Sequence, residues 1–311
     1  MTTAAMTTGL WLLVYGAVLT WLAPPLLRRL TAAGISPHMG VAAWLTAVVA
    51  AVLAWIGALA LIIVAALEGV RDSSALTLCL ELFGVSDHTG LPGQFGTIAL
   101  IVAGLLTSIV VIARVGRSIA GLRSRSREHA HAARLIGRPT ERPGVVVVEA
   151  RRPAAYCVLG RPNAIVITSA ALDSLDSRQL AAVLAHENAH IAGRHHQILL
   201  VLRALAANLP RLTLFGSAAE SVAALLEMCA DDSAARRVGT RPLLSGLLTL
   251  AGTHAPLPEG LAAAATAVAT RALRLATPAP RSAQWRQRLG LAATMTATLT
   301  APALIELLCH H

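Results

Sequence analysis

The sequence contains no lysine, few aromatic residues and few charges of either sign. Of its 311 residues, 14% are charged and 3% aromatic, while 55% are hydrophobic and the mean hydropathy is +0.64. An ordinary soluble domain carries about 25% charged residues. A chain this poor in charge cannot cover its whole surface for water, so part of it is expected to face lipid. Disorder, a collagen-like fibre and a disulfide scaffold are excluded by the same composition, which includes only four Cys. The 26 basic residues, all Arg, stand against 16 acids and give a net charge of +10. Nucleic-acid binders carry such charge on a polar surface with aromatics or a reading helix. The scarcity of aromatics therefore argues against direct nucleic-acid binding.

What is present is a set of long apolar runs. Gly9 to Leu27, Val41 to Leu67, Phe95 to Ile112 and Leu289 to Ile305 carry no charge over 19, 27, 18 and 17 residues. A helix needs about 20 apolar residues to cross a bilayer, with a range of about 17–25. Four spans are expected, at residues 9–27, 41–67, 95–112 and 289–305, with a loop at 68–94. No basic region precedes Leu10, as a cleaved signal peptide would require. Positive charge stays on the cytoplasmic side. Arg28 and Arg29 follow the first run, the 68–94 loop holds Arg71 alone, and 22 of the 26 Arg fall within 115–288. This predicts both termini outside the inner membrane of a bacterial cell and the long segment inside. The expected organisation is 1–115 as three spans, 116–288 as a cytoplasmic domain, and 289–311 as the last span with a short outer tail. The Arg-rich stretch 114–138 reads as a topology determinant on a solvated helix, with an anionic-lipid or nucleic-acid patch as the alternative, and membrane lipids are expected partners of the chain.

The cytoplasmic segment opens with strand-like runs at Val145–Glu149, Ala154–Val158 and Ala164–Thr168, then turns helical from Ser169. Its helix carries His186-Glu187-Asn188-Ala189-His190, an HExxH pattern. The i and i+4 spacing projects both imidazoles from one helix face, where they can bind one zinc ion. Glu187 is then placed to take a proton from zinc-bound water rather than to bind the metal. Asp176 and Gln179 form a capping-box pattern at the helix start, and Gly193 suits its end. A catalytic zinc wants a third protein ligand. Glu227, in a second helical stretch at about Ala218 to Val238, is the candidate. Asp231, one turn on, is placed to accept the outer N–H of a ligand His. Cys229 is aimed away from that face and reads as a buried thiol. His195 and His196 read as surface residues beyond a turn at Gly193. Ile198–Ala207 is too short to span and reads as a core or interfacial helix.

An HExxH helix followed by a Glu-x-x-Ala-Asp helix resembles the gluzincin membrane peptidases. Three spans before the zinc domain and one after it resemble the BlaR/MecR family of sensor-transducer metallopeptidases. The resemblance implies a membrane α-helical fold of four spans with a cytoplasmic α+β zinc peptidase domain, holding one Zn2+ per chain. It implies hydrolysis of a protein substrate in signal transduction: itself, or a BlaI-type repressor of antibiotic-resistance genes. It also places a substrate-pairing edge strand at Ala164, Ile165, Val166 and Ile167. No Ser-x-x-Lys module follows the last span before His311, so the likeness is to the transducer part without its extracellular penicillin-binding sensor. A separate sensor protein and a homodimer are expected partners.

The developing oxyanion needs a second electrophile. Arg286, His254, Tyr156, Arg236 and Arg237 are candidates, and the sequence does not choose among them. Cys79 and Cys309 fall on the oxidising side, where a bridge is an open expectation. Two alternatives stay open: an HtpX- or CAAX-type quality-control or processing peptidase, and a non-catalytic scaffold with structural zinc. HtpX-like proteins place spans between HExxH and the third ligand, and 197–226 is too polar for two. Structural zinc needs no general base, so Glu187 argues against the scaffold.

Overall fold

A computed structural model describes residues 2–71, 93–158, 160, 162–252 and 259–309. Helices α1 (Thr2–Thr31), α2 (Pro37–Arg71) and α3 (Gly93–Ile136) come first. A small sheet follows, of β1 (Arg138–Pro139), β2 (Val145–Val148), β3 (Ala155–Val158) and β4 (Ala164–Thr168). The remaining helices are α4 (Ser169–Ser174), α5 (Ser177–Ala192), α6 (His195–Asn208), α7 (Thr213–Val238), α8 (Thr240–Gly252), α9 (Glu259–Ala276) and α10 (Arg281–Cys309).

Among the described residues, four helical stretches are long and apolar enough to cross a membrane: Met6–Thr31, Pro37–Ala65, Ile101–Ile136 and Thr213–Val238. They point to a membrane protein. The first contains the first expected run, and the second and third overlap the second and third. The fourth is α7 rather than α10, and it differs in where its apolar side chains go. More than half of the most apolar stretch of α7 (56%) is buried within the protein, against none of that of α3. Leu214, Phe215, Val222 and Leu225 of α7 share one core with Leu27 of α1 and Trp44 of α2. Trp44 and Phe215 are fully enclosed there, and each such side chain contributes roughly 1.5–3 kcal/mol. The helix that carries the expected third ligand therefore packs directly on the first two membrane-type helices.

Helix α10 joins the same group. The Tyr15 hydroxyl donates to the Thr298 carbonyl, and Gln287 Nε2 donates to the Leu30 carbonyl at 2.7 Å. Its Thr294, Thr298 and Thr300 hydroxyls each bond the carbonyl four residues back. Such bonds satisfy the hydroxyls within the helix, which reduces their cost in an apolar setting.

The sheet order is β1-β2-β4-β3, with β2 and β4 parallel and the other pairs antiparallel. This corrects the edge-strand expectation. Ala164, Ile165, Val166 and Ile167 lie in the central strand, paired on both sides and buried throughout. The edge on that side is β3. The crossover from β2 to β4 leaves β3 outside, and local sequence does not encode that choice. The bridge expected between Cys79 and Cys309 concerns Cys79, which lies outside the described residues.

Candidate metal centre

The site is built on α5. The Asp176 carboxylate accepts from the Arg178 and Gln179 backbone N–H groups at 2.8 Å each, and Gln179 Oε1 accepts from the Asp176 N–H at 2.9 Å. This capping box satisfies donors that the first turn leaves free. One face of α5 sits on the sheet, with Val183 against Ile167 and Leu184 against Ile165 and Cys157. The opposite face turns His186 and His190 toward α7.

There Glu227 meets them. His186 Nε2 and His190 Nε2 are 3.1 Å apart, and the Glu227 carboxylate oxygens lie 3.5 Å from the first and 3.4 Å from the second. Zinc–ligand bonds of about 2.0–2.1 Å at tetrahedral angles put neighbouring donors about 3.3–3.4 Å apart. The three distances fit one such ion. The donor set of two imidazoles and a carboxylate is that of a catalytic zinc with an open position. Openness is visible in the exposure: the Glu227 side chain is 41% exposed, against 7% and 10% for His186 and His190.

Asp231 is fully buried one turn beyond Glu227, with Oδ1 at 3.1 Å from His186 Nδ1. Arg271 of α9 clamps it. Its Nε and Nη2 donate to the two Asp231 oxygens at 2.7 Å each, while Nη1 lies 3.1 Å from Glu227 Oε2. Burial pushes the Asp231 carboxyl up, but the Arg271 and His186 bonds outweigh it and bring it down to about 2. Glu227 is also brought down to about 2, as the His186 bond and the Arg271 charge override burial. Burial works against charge on His186 too, yet the Asp231 and Glu227 carboxylates beside it raise it to about 9 without metal. His190 falls to about 4, chiefly by burial.

Glu187 lies buried on the sheet side, beside Cys157 of β3. Burial raises its carboxyl pKa, with the Glu227 charge adding to the effect. A raised pKa suits a group that must hold a proton briefly near neutral pH. The Cys157 thiol, pushed up to about 12 by burial and the Glu187 charge, stays neutral. Its Sγ lies 2.8 Å from His196 Nε2.

His195 and His196 are not the surface residues expected. His195 is buried, and its Nδ1 lies 2.9 Å from His190 Nδ1. His196 is half-buried against Cys157. The expected turn exists, but the left-handed residue is Arg194, at φ 52°. Gly193 serves by lacking a side chain, since a Cβ there would lie 2.3 Å from His195 Nε2.

The oxyanion candidates disperse. Tyr156 alternates with Cys157 on β3, so it points to the other face of the sheet from α5 and is exposed. Arg236 lies nine residues beyond Glu227, half a turn round α7. It is exposed and lines a separate cavity of about 700 Å3 with Asp232 and Arg288. Arg237 and Arg286 are exposed as well. His254 lies outside the described residues. Arg271, which none of these readings weighed, is the guanidinium at the donors. It sits 44 residues beyond Glu227 in an Ala-rich helix, and only its spacing from Arg274 hinted at a role. Arg274, one turn on, pairs with Asp232 at 2.8 Å.

A small sheet carrying an HExxH helix, with a carboxylate from a second helix completing three donors, defines a site of the metallopeptidase class. Residues 120–254 match the model of Peptidase family M48, a zinc metallopeptidase family that includes BlaR/MecR- and HtpX-type proteins. The matched segment contains all three donors and Glu187, while Arg271 lies beyond it. The comparisons with curated proteins and with solved structures gave no match.

Proposed function

We propose that the chain is an integral-membrane zinc endopeptidase of BlaR/MecR-like type, cutting a cytoplasmic or juxtamembrane protein in a signalling pathway. The observation that carries the reading is Glu187, buried beside three donors spaced for one zinc ion. Zinc bound there supplies a Lewis acid and lowers the pKa of a bound water toward about 7. Glu187 takes the proton of the attacking water and passes it to the leaving amine. Arg271 holds Glu227 and Asp231 in place, and Asp231 fixes the His186 ring. The free edge of β3, next to Glu187 through Cys157, suits an extended substrate held by backbone pairing.

The spans proposed are α1, α2, α3 and α10, with both termini outside and the zinc domain cytoplasmic. The Arg distribution supports this orientation. Between HExxH and Glu227 the chain forms one short helix, α6, and the start of α7, both packed into protein. This supports the BlaR/MecR-like reading over the HtpX-like one. The resemblance nominates a BlaI-type repressor or the chain itself as substrate, with a separate sensor or a second copy as partner. Glu187→Gln should keep the metal and abolish cleavage. Comparing the proteomes of wild-type and variant cells should reveal one stabilised protein. Unchanged cleavage products in the variant would sink the enzymatic reading.

A further inference from the structure

We infer that the metal centre stands about 20 Å outside the hydrocarbon layer, so that an anchored substrate is cut only about six residues or more from its own span. This rests on the membrane-peptidase reading and adds a rule for its substrate.

The depth follows from how the helices register. Arg114 is the first charge after the apolar run of α3 and is exposed, which marks the inner edge of the bilayer. Helices α3 and α2 meet where a Cβ on Gly104 would lie 3.4 Å from Leu59. The two run antiparallel, so Arg114, ten residues inward of Gly104, is level with Val49, ten residues inward of Leu59. Helices α2 and α1 meet at Gly16, whose added Cβ would lie 3.2 Å from Trp55. Stepping six residues inward from that pair sets Val49 level with Leu22, next to the exposed Trp21. A Trp is at home at this interface. From this level about 20 residues reach the outer face. Counted outward from Val49 they end beside Glu68, and counted from Arg114 they end at Gln94. Two helices thus agree on one slab.

Inside that level, α1 from Leu22 and α2 up to Val48 continue as apolar helix where lipid no longer covers them. Helix α7 packs instead on Leu27 and on the inner part of α2, while Leu22 and Leu26 on the far side of α1 stay exposed. Its Thr213 Oγ1 donates to the Thr20 carbonyl at 2.8 Å, Glu220 pairs with Arg28 at 3.1 Å, and Met228 packs on Gly34. The three contacts advance together along α7 and along α1 and the turn after it, so α7 runs parallel to α1 and starts at the bilayer edge. Glu227 lies 14 residues further on, about 21 Å at 1.5 Å per residue. The turn between α6 and α7 exposes Arg211 at the edge, and Asn208 Nδ2 bonds Ser118 Oγ at 2.8 Å, beside exposed Arg117. These cations suit lipid headgroups. An extended peptide covers at most about 3.3–3.6 Å per residue, so about six residues must leave the bilayer before a bond reaches the donors.

The test uses the full chain in nanodiscs of phosphatidylethanolamine and phosphatidylglycerol. The probe is a single-span peptide with a long unfolded cytoplasmic tail, and cut positions are read by mass spectrometry. Cuts should begin about six residues from the span. Cuts inside the span, or within its first two or three flanking residues, overturn the rule. Depth is read without activity in a Glu187→Gln chain with Cys79 and Cys309 replaced by Ser. Nitroxide labels are placed at Arg211→Cys and Ala224→Cys. The first should report the bilayer edge, and the second should be reached by aqueous nickel. A lipid-immersed label at 224 overturns the depth itself. If neither the probe nor denatured casein is cut while both labels read as expected, the proteolytic reading fails, the depth stands, and the substrate rule falls with the reading.

Discussion

Behind His186 stands a fully buried carboxylate, Asp231, held by two short bonds from Arg271; behind His190 stands another imidazole, His195. The two rings present the same atom toward one point, yet one is braced by an ion pair and the other by a neutral group. An ionised carboxylate close to a ring nitrogen favours the charged ring and raises its basicity. The His186 side should therefore carry most of the metal affinity and most of the stability. The His190 side should mainly set ring orientation.

The strongest way to break this contrast is Asp231→Asn, which takes from buried Arg271 the nearer of its two carboxylate partners. Loss of a partner from a buried ion pair costs about 3–5 kcal/mol. We expect that loss in chemical denaturation of the detergent-solubilised chain. Zinc affinity, measured by competition with a chelator, should fall toward the upper end of the roughly 10–100-fold range for such partners. An affinity change below twofold would remove Asp231 from the site. Arg271→Leu should come next, because it leaves two carboxylates side by side. Zinc still neutralises them in part, so the metal-loaded chain should lose less stability than the metal-free one.

On the other side, His195→Ala should lower zinc affinity by roughly tenfold. His195→Asn should restore part of it, since an amide oxygen can accept from His190. A cobalt-substituted sample provides a second readout, because a tilted His190 ring shifts the visible absorption bands. The smallest effect should come from Gly193→Ala, whose Cβ would press on His195 and not on a ligand. A few-fold loss of affinity with an intact fold is the expected result.

Acid and base separate the two rings in the metal-free chain. The His186 pKa, raised to about 9, contributes stability that is complete below about 6.5 and lost as pH rises through about 9. The His190 pKa, lowered to about 4, acts oppositely, and stability is lost as pH falls from about 6.5 through about 4. Urea midpoints in EDTA should peak between these limbs. Asp231→Asn should flatten the alkaline limb alone, and an unchanged alkaline limb would mean that Asp231 does not brace His186.

The site was legible in proportion to how local its geometry is. The i and i+4 histidines, the Asp176–Gln179 cap and the apolar stripe of α5 are all set within one helix, so spacing alone reveals them. The Glu227 and Asp231 pair was also readable, because four residues on a helix share a face. Arg271 was not, since its helix reaches the donors through a fold that no local pattern encodes. His195 was misread because a glycine before it suggested a departing chain, whereas the turn folds the ring back. Tyr156 failed for the reason that β3 alternates, and its neighbour Cys157 took the inward place.

The sequence by itself determined where the chain is apolar, which helix can hold a metal and where along the chain the positive charge collects. Each of these is a property of neighbours along the chain. Tertiary structure alone decided what the apolar faces meet. By hydropathy α3 and α7 both qualify to cross a membrane. Only packing shows that one turns its side chains outward, while the other spends its own on α1 and α2. That same packing sets the donors at a fixed distance from the first two helices, because a rigid helix shares one core with them.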